Sequence, residues 1–151
     1  SDGGEFNSVD AAVIQAQEMV SSGADIIDIG GQSTRPGAEQ ISLQEELNRV
    51  IPVITAIRAV TDTIISVDTT RSKVAKLAIE AGGDIINDIS GGTYEPEIFK
   101  VAFSMQVPII LMHIRGTPAT MQKLTNYDDV VTEVISFLRG QIEIAVNTGI
   151  E

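Results

Sequence analysis

The chain has 151 residues, with 21 Asp and Glu against 10 Lys and Arg, a formal net charge of −11, one histidine and no cysteine. That length suits one domain with a real core. The missing cysteines exclude disulfide and thiol chemistry, the single histidine argues against a side-chain zinc site, and the acid excess argues against nucleic acid, whose phosphates call for clustered Lys and Arg.

No apolar run reaches the length of a membrane span, and no segment has the pattern of a secretory signal. In chain order, residues 1–7 read as loop. Ser8 is positioned to cap a helix whose apolar residues Val9, Ala12, Val13, Ala16, Met19 and Val20 share one face, with Gly23 as its stop. A first strand falls within Ala24 to Gly31, and a loop longer than usual runs from Gly30 to Ile41. Ser42 and Glu45 make a capping box, and the helix they start meets Pro52, which is expected to split it in two. A second strand, Ile64 to Val67, leads to a helix from Ser72 to Ala81, stopped at Gly82. A third strand, Ile85 to Ile89, precedes a helix over Glu97 to Met105 that Pro96 opens. A fourth strand, Pro108 to Met112, is followed by a polar loop from Arg115 to Tyr127. Asp128 and Asp129 then favour a last helix through Val130 and Leu138, interrupted or weakened near Gly140.

Four times an apolar strand ends in a polar residue and a turn, and a helical pattern follows. This βα repeat implies parallel strands in an α/β fold, with β-branched runs buried on both faces. At the end of the second strand stands Asp68, followed by Thr69, Thr70 and Arg71. An acid at the carboxyl end of such a strand is where α/β folds place ligand-binding groups, although it could also merely cap the next helix. Arg71 reads as a partner for a nearby carboxylate, His113 as a structural histidine, and Met112 as core. Asp28 and Asp88 read as structural acids, and the acids along the helices as solvated faces. The chain opens on Ser1-Asp2-Gly3-Gly4 with no strand before it and stops where a strand should begin, so it reads as a single domain cut at both ends.

Four motifs in order, Asp28-Ile-Gly-Gly-Gln-Ser-Thr-Arg-Pro-Gly37, Ser66-Val-Asp-Thr69, Ile86-Asn-Asp-Ile-Ser-Gly91 and Leu111-Met-His113, resemble the successive strand-end motifs of the dihydropteroate synthase family. The resemblance covers the whole chain and is fungal-like at Gln32, where many bacterial members carry Glu. It implies a partial (β/α) TIM barrel: about four consecutive βα units of an eight-unit barrel. It also implies a transferase of folate biosynthesis, sometimes multifunctional and a sulfonamide target. That enzyme joins 6-hydroxymethyl-7,8-dihydropterin diphosphate to 4-aminobenzoate with loss of diphosphate.

Residue by residue, the resemblance assigns Asp68 to the pterin ring and to catalysis. It assigns Asn87 to the pterin edge, Thr34, Arg35 and Pro36 to the loop around diphosphate and aminobenzoate, and Met112 to the pterin pocket. It implies Mg2+ as cofactor, with its ligand residue outside these 151 residues. Small-molecule substrates, a homo-oligomeric parent and a cytoplasmic location, or a mitochondrial one in a fungal parent, follow from the same likeness, with no nucleic acid or membrane partner. A pterin-binding methyltransferase acting on methyl-folate and an inactive barrel fragment are the alternatives. An ionised carboxylate offers only acceptors and an amide offers both polarities, so Asp68 with Asn87 suits a planar edge of alternating donors and acceptors.

Overall fold

Each strand of this chain hands over to a helix, and the strands pair in the order in which they are made. The computed structural model describes residues 9–35 and 37–151; the cap expected at Ser8 and the loop residue Pro36 lie outside these. The elements are α1 (Val9–Ser21), β1 (Ile26–Gly30), α2 (Leu43–Arg58), β2 (Ile64–Asp68), α3 (Ser72–Glu80), β3 (Ile85–Asp88), α4 (Glu97–Met105), β4 (Ile109–Leu111) and α5 (Val130–Thr148), with a 3₁₀ turn at Met121–Lys123 inside the last loop. The four strands form one sheet, ordered β1-β2-β3-β4 and parallel throughout.

Successive side chains of a strand point to opposite faces, which divides the sheet cleanly. Ile27, Ile29, Ile65, Val67 and Ile86 face the helices and are buried against Val50, Ile54 and Ile57 of α2, Val74 and Ala78 of α3, and Ile98 and Ala102 of α4. The opposite, helix-free face carries Ile26, Ile64 and Ile110, each 42–47% exposed. The expectation of strands buried on both faces is therefore met on the helix side, and on the other face only at Ser66 of β2, which is 3% exposed.

The two rims of the sheet do different work. At the amino end, Arg58 donates to the carbonyls of Gly82, Thr61 and Thr63 and pairs with Asp84, whose carboxylate also accepts from the Ile65 amide at 2.8 Å. This clasp closes the bottom of the layer, where (β/α) folds place stability, and leaves the carboxyl rim to chemistry.

Two local expectations are overturned. Helix α2 is continuous through Pro52 rather than split. Pro52 and Asn48 are both exposed, so the Asn48 carbonyl that loses its partner at Pro52 faces water and the missing bond costs little. Helix α5 likewise runs unbroken through Gly140. A Cβ at Gly140 would meet no heavy atom within 4 Å. Gly140→Ala is therefore expected to raise the urea midpoint, by about 0.5–1 kcal/mol of helix propensity; a lowered midpoint would show a contact that the open surroundings of Gly140 do not contain. The capping box is met by half: Ser42 Oγ accepts from the Glu45 amide at 3.1 Å, but the Glu45 carboxylate accepts from Arg49 Nε at 2.9 Å instead of returning to the Ser42 amide. Asp129 accepts from the amides of Val131 and Thr132 at the start of α5, and the Thr132 hydrogen bonds hold its carboxyl below the usual range.

Candidate functional site

The site is set by strand register. Asp68, the last residue of β2, is the ladder partner of Gly30 on one side and of Asn87 on the other. Partners in a parallel ladder point to the same face, so Asp68 and Asn87 project together from the carboxyl rim on the helix-free side. Asp28 lies one step inside on β1, and Asn87 Nδ2 donates to both of its oxygens at 3.3 and 3.4 Å. Gly30 clears room for the acid: a Cβ there would stand 3.2 Å from Asp68 Oδ2. Asp68 does not cap α3: Arg71 holds the N-cap position without a side-chain cap bond, and the Ser72 amide at the helix start donates instead to Glu95 Oε2 at 2.8 Å.

Burial pushes the Asp68 carboxyl up from its ordinary 3.8 to about 6, and the negative charges of Asp28, Glu46 and Asp88 add to the effect. Asp88 is fully buried and structural: its oxygens accept from the amides of Ser90 and Gly92, each at 2.8 Å, and fix the turn after β3. Burial raises its carboxyl too, against those hydrogen bonds.

A cavity of about 680 Å³ opens beside Asp68, between the loop after β1, the turn after β2 and the loop after β4. Thr34, Asp68, Thr69, Arg71, Tyr94 and Thr117 are among its lining residues; Asn87, Arg35 and Met112 are not. Asp68 thus stands where the cavity meets the open face. Arg35 is exposed in the loop, its amide donating to Ser33 Oγ at 3.4 Å and its carbonyl accepting from Ala38. Met112 corrects the core reading: it is 42% exposed, and its amide extends the β4 ladder to the Asp88 carbonyl. That places its side chain on the same face as Ile110 and Asn87. His113 packs its ring against Phe137, edge-on at 5.0 Å between centroids, and against Tyr127, which agrees with a structural histidine.

The sequence profile of a family described as "Pterin binding enzyme" matches residues 1–151. The chain belongs to the pterin binding enzyme family. It is 58% identical over 150 residues to the dihydropteroate synthase of Synechocystis sp. (strain ATCC 27184 / PCC 6803 / Kazusa), covering 99% of this chain and 52% of that protein. The crystal structure of the Yersinia pestis dihydropteroate synthase with a sulfonamide drug complex matches with a TM-score of 0.95 and 44% identity, over 100% of this chain and 55% of that one. The Xanthomonas albilineans dihydropteroate synthase with 4-aminobenzoic acid matches with a TM-score of 0.87 and 42% identity, over 100% and 53%. This pterin binding enzyme chain therefore spans about half the length of these relatives. Its four βα units correspond to about half of their barrels.

Three features of the pterin binding enzyme chain escape its motifs. Glu46 is no solvated helix acid: it is 2% exposed and pairs with Arg71 at 3.0 Å, as Arg71 was expected to pair with some carboxylate. Its four-residue spacing from Val50 and Ile54 places it on the buried face of α2, and that spacing was the available signal. Gln32 is a clasp rather than a neutral variation. Its amide donates to the carbonyls of Ser33 and Glu39 at 2.9 and 3.0 Å and accepts from the Ile41 amide at 2.8 Å, tying both ends of the loop. Tyr94 reaches across the cavity mouth to the Gly116 carbonyl at 2.7 Å.

Proposed function

We propose that this chain supplies the first half of the substrate site of a dihydropteroate synthase. Such an enzyme condenses 6-hydroxymethyl-7,8-dihydropterin diphosphate with 4-aminobenzoate to give 7,8-dihydropteroate and diphosphate. The observation that carries the reading is the register pairing of Asp68 with Asn87 on one face of the carboxyl rim, next to the loop bearing Thr34 and Arg35. The relatives' names and the aminobenzoic acid held by one of them support the same reaction.

In this reading, Asn87 and Asp68 take the donor–acceptor edge of the pterin, and Met112 and Ile110 cover its ring. The aminobenzoate nitrogen attacks the exocyclic methylene carbon. The C–N bond forms as the C–O bond to diphosphate breaks, diphosphate leaves with the bonding pair, and the nitrogen sheds a proton. Positive charge develops on the pterin as the C–O bond lengthens, and the fixed Asp68 carboxylate stabilises it. Arg35, with the fork geometry suited to phosphate oxygens, receives the diphosphate, and Thr34 lines the aminobenzoate side. Among the described residues, no three of His, Asp and Glu converge into a metal site. In this reading the magnesium ligand stands outside residues 1–151, and no step of the reaction runs through that ion.

Two coupled assays test the reaction, one following 4-aminobenzoate into dihydropteroate and the other following methyl transfer from methyl-folate. The complete enzyme containing this chain is expected to turn over in the first and not in the second, and residues 1–151 alone in neither. Methyl transfer by the complete enzyme, or its failure to turn over 4-aminobenzoate, would overturn the synthase assignment, and diphosphate release by the isolated chain would overturn the claim that it holds only half of the site.

A further inference from the structure

The proposed substrate site is divided between a loop, residues 31–41, and the ends of β2 and β3, and something must fix the one against the other. The carboxylate that does so sits on α2. Glu46 is 2% exposed, and both of its oxygens are engaged. Oε1 accepts from the Thr69 hydroxyl at 2.6 Å, one residue beyond Asp68, and Oε2 lies 3.0 Å from Arg71 Nη1. Arg71 Nη2 then donates to the Ile41 carbonyl at 2.6 Å, where the loop ends. On the far side, the Thr69 amide donates to the Asn87 carbonyl at 3.1 Å, so the same chain of bonds reaches the β3 rim. Thr69 Oγ1 also accepts from the Arg71 amide at 3.2 Å, which locks the turn. A buried ion pair is a poor device for stability, since desolvating both charges offsets much of their attraction. Arg71 Nη1 meets Glu46 as a charge contact without a hydrogen bond, and the directional bonds that fix geometry are those from Thr69 to Glu46 and from Arg71 Nη2 to the Ile41 carbonyl.

Resting on the synthase reading above, we propose that Glu46 is a positioning residue for the reaction. Through Thr69 and Arg71 it sets the loop that receives aminobenzoate and diphosphate against the acid-bearing end of β2. Neither Glu46 nor Arg71 needs to touch the pterin for this. The clamp acts on the placement of the second substrate, because Ile41 closes the loop and Asp68 keeps its own strand register without Glu46.

The test uses the complete enzyme containing this chain, with Glu46→Gln, Arg71→Met and the double variant. Glu46→Gln is expected to raise KM for 4-aminobenzoate about tenfold, a modest share of what a misplacement near 1 Å costs. Binding of 6-hydroxymethylpterin without its diphosphate is expected to stay within about twofold. Hydrogen exchange of amides 38–41 is expected to accelerate by about tenfold or more, a readout independent of activity. Arg71→Met, which leaves Glu46 buried without its cation, is expected to lower the thermal midpoint more than the double variant does. The double variant is expected to recover stability yet keep the raised KM, which a purely structural role would not produce. Unchanged KM and unchanged exchange in Glu46→Gln, or restoration of KM along with stability in the double variant, would overturn the proposal. Asp68→Ala run alongside separates the two readings: unaltered pterin binding in that variant defeats the synthase site itself, whatever Glu46 does.

Discussion

Asp68→Asn in the complete enzyme is expected to abolish pterin binding and, at the same time, to stabilise the fold above pH 6. The binding loss follows from chemistry: an amide turns half of an acceptor-only group into a donor, so pterin N–H groups face an N–H group. A buried polar edge left unpaired costs about 2–7 kcal/mol, enough to weaken binding a hundredfold or more. The stability gain follows from linkage. Burial and three neighbouring acids raise the Asp68 carboxyl to about 6, so between its ordinary 3.8 and that value the folded chain holds a proton that the unfolded chain has released. Stability accordingly falls as pH rises through this window, and the full penalty applies above it. The asparagine carries no such penalty. Discounted for partial exposure, it is expected to gain about 1–2 kcal/mol at pH 7.5 relative to wild type and almost nothing at pH 4. Urea midpoints of both proteins at the two pH values check this, with calorimetric titration of the pterin. Equal midpoint differences at both pH values would show that Asp68 is not strained by its ionisation. The same carboxyl predicts an acid limb in kcat/KM near pH 6, because only the ionised form stabilises the developing cation.

Gly92→Ala is expected to be the most damaging single methyl that can be added at any of the described glycines. Gly92 has φ +83°, and a Cβ there would lie 2.3 Å from Cε2 and Cζ of Phe99. Phe99 is 1% exposed and has nowhere to move. The Gly92 amide also donates to the buried Asp88 carboxylate at 2.8 Å, so shifting the backbone to relieve the clash would strip a buried charge of one donor. Backbone strain, overpacking and the weakened hydrogen bond together amount to about 3–5 kcal/mol. Loss of soluble protein, or a urea midpoint lowered by that amount, is the expected result; a wild-type midpoint would refute it. Gly140→Ala makes the opposite case, since the same methyl enters open space on a regular helix.

Much of this fold was legible because parallel strands announce themselves. Runs such as Ile64-Ile65-Ser66-Val67, closed by a polar residue and followed by helical spacing, admit few other readings, and they placed Asp68 and Asn87 on adjacent strand ends. The proline rule failed at Pro52 because the carbonyl left without a partner faces solvent. At Gly140 the entropic cost of about 0.5–1 kcal/mol stands, but it is too small to interrupt a helix of 19 residues. Glu46 was misread by its charge, which hid a position on the apolar stripe of α2. The open face was illegible for a different reason. Ile26 and Ile64 look the same in a strand whether their face is covered or bare.

The fastening of the loop by Gln32 has a consequence for how the site responds to acidity. A carboxamide keeps the same bonds at every pH, donating to two carbonyls and accepting from one amide. A glutamate in its place would have no proton to give those carbonyls once ionised. It would also bring one more negative charge to a rim that already holds Asp28 and Asp68. With a neutral latch, the fastening of this loop holds across the very interval in which Asp68 switches between its two forms, and the latch adds no titration of its own.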